Sequence, residues 1–220
     1  MPTTASPGPT WQILRASSHR QMAWKNGGGT TTEIAIEPPG AGLADFDWRL
    51  SMARLDVPGP FSSFPGVDRL LLALEGRIEL TIDGRSASLT PRDPAVHFPG
   101  EAQVSADLPP SSAGGFQHAL DFNLMVRRGK TSAQLRRLQF EGAARVTVPA
   151  GVALVLSRSS AVNAELPDSH TALDLNDALL IRANQPQQIG FSCAGPGELV
   201  VCELANAPDL SGAVAREDRS

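Results

Sequence analysis

Residues 46–84 read FDWRLSMARLDVPGPFSSFPGVDRLLLALEGRIELTIDG, and this stretch decides the fold. It opens with a clean alternation. Trp48, Leu50 and Met52 point one way and Arg49, Ser51 and Ala53 the other, as in a strand. A loop punctuated by Gly and Pro follows, then the apolar run LLLAL at 70–74, a Glu-Gly turn, a second alternating segment and an Asp-Gly turn. Strand, loop and tight turn succeed one another with no room for a helix.

The rest of the chain is punctuated in the same way. Its 220 residues include 20 Gly and 18 Pro, spread between short runs of Val, Ile, Leu and Phe. That pattern predicts an all-β protein. No segment holds a capped 3.6-residue apolar period over more than two turns. A hydrophobic content of 41% and a charged content of 19% describe an ordinary soluble globular chain. The net charge of −4 and the lack of a long basic stretch argue against nucleic acid as a partner. The opening MPTTASPGPT lacks the basic-then-apolar pattern of a secretory signal, and GVALVL at 151–156 is too short to span a bilayer. A turn at 194–197 is expected to make a hairpin that keeps Cys193 and Cys202 apart. Two reduced thiols fit a cytoplasmic protein with no membrane partner, and homo-oligomerisation is left open.

The remaining strands are expected at WQILRA (11–16), TTTEIAIE (30–37), 121–129 and, later, near 133–140, 145–148, 151–157, 161–166, 171–182, 187–193 and 198–205. PPSSAGG at 109–115 is the best boundary. There is also an internal repeat. SASLTPRDPAVHFPGEAQVSA (86–106) resembles HTALDLNDALLIRANQPQQIGFS (170–192), with Leu89 and Asp93 spaced as Leu173 and Asp177 are. A duplicated β unit predicts two barrels, 11–115 and 116–205, between loose tails at 1–10 and 206–220.

An apolar run ending in LEG before a strand resembles the first motif of a cupin barrel. Metal-binding cupins carry two histidines and a glutamate around the preceding loop. Here Phe61 and Ser63 hold the histidine positions and Asp68 the glutamate position. The second cupin motif would place a histidine at Val96, whereas His97 lies one residue on, pointing to the opposite face. His19, His97, His118 and His170 show no ligand spacing, so neither a metal nor another cofactor is expected. A wider resemblance covers about Trp11 to Ala205. WKNGGGTTTEIA, FDWRLSMARL, GPFSSFPGVDRLLLALEG and DFNLMVRR stand in the order and spacing of the HutD/Ves family. That resemblance implies a bicupin fold. It also implies a link to bacterial histidine utilisation, where the better-known branch is thought to moderate pathway expression. The family as a whole has no established enzymatic activity. This chain has Thr32 where the family commonly has Arg, which bears on how tightly it holds a ligand.

The candidate site residues come from the strand faces and the glycine loop. Arg49 lies on a face with small Ser51 and Ala53, and Asn123 and Arg127 share a face of DFNLMVRR. Lys25 and Asn26 precede a three-glycine run that lacks the Gly-Lys-Ser/Thr ending of a phosphate loop but can expose N–H groups to an anion. A buried arginine needs an anion. It is either an internal ion pair, with Asp68, Asp121 or Glu33, or a small carboxylate gripped in a bidentate fork. The candidate ligand-binding set is therefore Lys25, Asn26, Arg49, Ser63, Asn123 and Arg127. No catalytic residue is assigned, since there is no GxSxG elbow and no motif around either cysteine. The expected function is a metal-free small-molecule-binding bicupin that regulates in response to an acidic metabolite. The resemblance points to N-formylglutamate or urocanate. The competing reading is a cupin isomerase, lyase or hydrolase acting on a small carboxylate, and a third is an interaction protein without a ligand.

Overall fold

The computed structural model describes residues 8–112 and 114–206, so the tails expected at 1–10 and 206–220 lie largely outside the described residues. The described chain is β throughout except for a single 3-10 turn at Ala16–Ser18. Its strands are β1 Thr10–Leu14, β2 Arg20–Ala23, β3 Gly29–Glu37, β4 Trp48–Leu55, β5 Gly59–Pro60, β6 Val67–Glu75, β7 Ile78–Ile82, β8 Arg85–Leu89, β9 Val96–Pro99, β10 Val104–Asp107, β11 Ala119–Arg127, β12 Thr131–Val148, β13 Gly151–Ser157, β14 Val162–Leu166, β15 Ser169–Leu173, β16 Ala178–Ala183 and β17 Gln187–Asn206.

They form a six-stranded sheet in the order β2-β3-β4-β11-β6-β9, a four-stranded sheet β5-β10-β7-β8, and a seven-stranded sheet β1-β16-β13-β17-β14-β15 in which β12 also pairs with β17. The alternation read from the sequence sets the layers. From the six-stranded sheet Trp48, Leu50, Met52, Phe122 and Leu124 face outward and pack on Leu154, Leu156, Val200 and Cys202 of the seven-stranded sheet. Each such side chain contributes about 1.5–3 kcal/mol on full burial, so this shared layer locks the halves together. On its other face the six-stranded sheet meets the four-stranded one over Leu55, Leu71, Ile78, Leu80 and Phe98. The seven-stranded sheet curls over its own apolar interior, which includes Val155, Val162, Ile181, Phe191 and Val201.

The sheets divide differently from units split at residue 115. β11 lies between β4 and β6 in the N-terminal sheet, and β1 pairs with β16 in the C-terminal one. The described residues of the PPSSAGG segment lie in a loop within the N-terminal half, pinched by a bridge between Pro110 and Phe116. The hairpin expected at 194–197 is absent. β17 runs straight through, pairing with β12 on both sides of a register shift between Glu141 and Ala143. Residues 193–195 absorb that irregularity, and Cys193 and Cys202 lie along one strand as free thiols.

The repeat is visible in local bonding and in pairing. Asp93 Oδ2 accepts from the Thr90 N–H at 2.8 Å, and Asp177 Oδ2 from the Asp174 N–H at 3.1 Å, each closing the turn after a buried leucine. β6 pairs with β9 and β11, and β7 with β8 and β10. In the same way β13 pairs with β16 and β17, and β14 with β15 and β17. In the second half β17 therefore does the work of β10 and β11 together.

Candidate functional site

The N-terminal interior is where the buried charge collects. Strand register lays its inward side chains in rows across the six-stranded sheet. One row runs Ile36, Arg49, Met125, Arg69, Phe98, and the next runs Glu33, Ser51, Asn123, Leu71, Val96. Asp121 sits one row further along, between Ala53 and Ala73. Arg49 and Arg69 flank Met125, about 10 Å apart across two strand spacings.

The two arginines are not equivalent. Arg49 Nε donates to Glu33 Oε2 at 2.6 Å, a closed and largely buried ion pair. Arg69 is only 5% exposed, and no carboxylate lies within ion-pair distance of it among the described residues. Its hydrogen bonds are long: Nε to Asn123 Oδ1 at 3.5 Å and Nη1 to the Ser62 carbonyl at 3.4 Å. Three rings surround it instead, with Phe61, Phe64 and Phe98 centroids at 5.0, 5.8 and 5.1 Å. Such a cage favours a cation but leaves its N–H donors under-used. Burial lowers the guanidinium to about 10, with Asp121 opposing the shift and Arg49 adding to it. It therefore stays charged at neutral pH.

Asp121 is 2% exposed and its Oδ1 has no hydrogen-bond partner. Burial pushes it up to about 7, against the pull of Arg69 and of the Ala53 backbone. A buried carboxyl raised toward neutrality and coupled at a distance to an under-coordinated cation marks a candidate functional centre.

The residues expected at the site separate. Arg49 and Asn123 line this interior, Arg49 being held by Glu33 and Asn123 touching Arg69. Ser63 is exposed in the loop whose neighbour Ser62 reaches Arg69. Arg127 is spent on its own end of the sheet, donating to the Phe46 and Ala44 carbonyls and lying over the Phe46 ring. Lys25 and Asn26 are exposed near the other end, where Gly29 is opposite Leu55 and Leu55 opposite Ala119. Eight strand residues separate Ala119 from Arg127, roughly 26 Å, so these ends cannot meet in one small site. The glycine loop is also already bonded. Asn26 Oδ1 accepts from Gly28 N, and a Cβ at Gly29 would overlap the Arg54 carbonyl oxygen. The glycines serve close backbone approach rather than an anion nest.

Arg69 and Asp121 are the residues the sequence reading missed as site members. Asp68, at the cupin glutamate position, faces out and pairs with Arg128 at 2.8 Å. Arg69, one residue on, is the inward side chain. Its signal was a single cation inside VDRLLLALE, a segment so apolar on both faces that its alternation is not legible. Phe61 packs on Arg69, and His97 is exposed while Val96 and Phe98 turn inward. Thr32 lies opposite Met52, on the sheet face away from Glu33 and Arg49.

Among the described residues the C-terminal interior holds no comparable group. Its cluster is apolar, and of the buried polar residues of that half Ser157 serves a turn, while Asp177 serves a turn and pairs with Arg15. A cleft of about 750 Å³ opens elsewhere, lined by Phe140, Arg158, Gly197 and Glu198 among others. Its Arg158 is held by Glu75 and Asn176, and its Glu198 by Arg137. The chemistry therefore points to the N-terminal interior rather than to this cleft.

Comparison with known proteins fits this architecture. An uncharacterised 21.2 kDa protein in the hutC 3' region of Pseudomonas putida is 38% identical over 187 residues, 84% of this chain and 93% of that one. The structure of HutD from Pseudomonas fluorescens SBW25, described in a formate condition, is 32% identical with a TM-score of 0.74, covering 90% of this chain and 100% of that chain. A cupin 2 conserved barrel domain protein from Leptotrichia buccalis, 11% identical with a TM-score of 0.52 over 80% of this chain and 88% of that one, shares the fold alone. The HutD family profile matches residues 16–201, and the chain belongs to the HutD/Ves family.

Proposed function

We propose that this chain is a metal-free bicupin that binds a small carboxylate in its N-terminal barrel and passes that occupancy on as a regulatory signal. The observation that carries the reading is Arg69, a buried guanidinium with three aromatic neighbours, two long hydrogen bonds and no carboxylate partner. A ligand carboxylate supplies the acceptors that this fork lacks. Asn123 reads a further polar atom beside it, and the Glu33–Arg49 pair fixes the wall. The repeated strand pairing supports the two-barrel arrangement. The family's link to histidine utilisation supports N-formylglutamate or urocanate as the acidic metabolite, in the cytoplasm.

The test is a thermal-shift screen with formate, N-formylglutamate and urocanate, on wild type and on Arg69→Met. A ligand at a hundred times its dissociation constant stabilises by about 2.7 kcal/mol. The shift is expected for wild type and not for the variant. No shift with any of these carboxylates at millimolar concentration defeats the reading.

A second reading rests on Asp121. A buried carboxyl near pH 7 beside a cation is also what a general base requires. On that reading the chain is a cupin isomerase, lyase or hydrolase acting on a small carboxylate. Product formation in the same incubations, lost in Asp121→Asn, separates it from simple binding.

A further inference from the structure

The charge balance of the N-terminal interior is closed except at one pair. Glu33 from β3 and Arg49 from β4 neutralise each other at 2.6 Å. Arg69 from β6 and Asp121 from β11 are the charged groups that remain. Near Asp121 on its own strand stands neutral Asn123, and β3 and β4 add only Thr31, Ser51 and Ala53. The facing strands β7, β8 and β10, and β9 at the edge of the six-stranded sheet, turn apolar side chains inward, such as Ile78, Leu80, Leu89, Val104 and Phe98. Among the described residues Asp121 is thus the one group available to balance Arg69. It does so at a distance, without an ion pair and with one oxygen unbonded.

We propose that Asp121 is the proton-linked member of the site: it balances Arg69 while the site is empty and takes up one proton from solvent when a carboxylate ligand occupies that cation. This rests on the reading of the interior as a carboxylate site. Two carboxylates beside one guanidinium in a desolvated interior cannot both stay ionised, because like charges there repel strongly. Protonation removes the second charge and turns the unbonded oxygen into an O–H donor, which the bound carboxylate can accept. Burial already holds Asp121 close to neutrality, so the ligand need shift it only upward. By linkage, affinity for the carboxylate then rises as pH falls. The protein reads acidity together with ligand concentration.

Isothermal calorimetry tests this, with N-formylglutamate and formate as probes, in two buffers of different ionisation enthalpy. At pH 8 wild type should take up close to one proton per ligand bound. Its Kd should weaken by up to about tenfold per pH unit above pH 7. Asp121→Asn, which resembles the protonated form, should bind with no proton uptake and a flat pH profile. The two-buffer measurement needs wild type alone, so a variant that fails to fold does not remove the test. Binding at pH 8 without proton uptake overturns the proposal and leaves the carboxylate site standing. No heat from either probe at pH 6, where Asp121 is already largely protonated, overturns both.

Discussion

Replacing Arg69 by Met pulls stability and binding in opposite directions, which separates a site residue from a structural one. The cation is held at a cost. Its fall from 12.5 to about 10, at about 1.4 kcal/mol per pH unit, sets roughly 3 kcal/mol against the charged form. The three rings offset part of this. Their centroids lie at 5.0–5.8 Å, near the outer limit for the contact, so the low end of the range applies, about 0.5 kcal/mol each. Met fills a similar volume and regains ring contacts through its sulfur, worth about 0.3–1.5 kcal/mol. The free variant should therefore be as stable as wild type or more stable, by up to about 3 kcal/mol, in line with other buried charges replaced by apolar groups.

Binding should go the other way. Each charged hydrogen bond contributes about 1.5–3 kcal/mol, so losing the fork weakens a carboxylate by about tenfold at the least. Arg69→Lys should recover only part, because a point charge cannot reproduce the planar fork. The assays are urea unfolding at pH 6, where Asp121 is mostly neutral and no carboxylate is stranded, and calorimetry with the carboxylate giving the largest thermal shift. A drop of more than about 2 kcal/mol in unfolding free energy would make Arg69 a structural cation and refute the reasoning. An unchanged Kd would refute it from the other side.

Three further outcomes follow from the geometry. Glu33→Gln leaves Arg49 buried without its anion and should cost about 3 kcal/mol in urea unfolding, whereas an unchanged midpoint would mean that Arg49 finds another acceptor. Asp121 has a folded-state value raised to about 7 against an ordinary 3.8. Its favourable contribution is thus complete below pH 4 and lost as pH rises through 7. Wild type should lose a few kcal/mol between pH 4 and 8 relative to Asp121→Asn, and parallel pH–stability curves for the two proteins would contradict the burial argument. Gly29→Ala places a Cβ onto the Arg54 carbonyl oxygen and against the Trp24 ring. A loss of about 1–3 kcal/mol is expected, and wild-type stability would show that the loop moves freely.

Much of the fold was legible because the informative strands are apolar on one face only. β4 could be read outright: Trp48, Leu50 and Met52 against Arg49, Ser51 and Ala53 correspond to the outer packing layer and the N-terminal interior. The repeat was legible through Asp93 and Asp177, which close equivalent turns. The strand partners of β1 and β11 were not legible, because pairing is set by the whole sheet rather than by the local pattern. The continuity of β17 was hidden by Gly195, Pro196 and Gly197, which read as a turn but lie in and just beyond a register shift, with Pro196 and Gly197 paired to Glu141 and Phe140. The candidate site was half legible. That Arg49 and Asn123 face the interior could be read from their strand faces. Arg69 was hidden inside a run apolar on both sides, and Asp121 gives no sign in sequence that its carboxyl is fully enclosed.

The two halves follow one pairing plan but differ in what they enclose. β13, β14, β16 and β17 close over an apolar interior, with Val155, Ile181, Phe191 and Val201 at its centre. In that half the plan closes over a core with no charge at its centre, its buried Asp177 lying at a turn and paired with Arg15. In the other half the same plan encloses Glu33, Arg49, Arg69 and Asp121. Burying these groups costs desolvation that an ion pair rarely recovers in full, and Arg69 and Asp121 do not even form one. A fold able to do without such groups gains nothing in stability from carrying them. Their arrangement fits the receptor proposed above: an inward fork with two long hydrogen bonds and no carboxylate partner, a carboxyl able to change charge near neutral pH, and an aromatic cage around the fork.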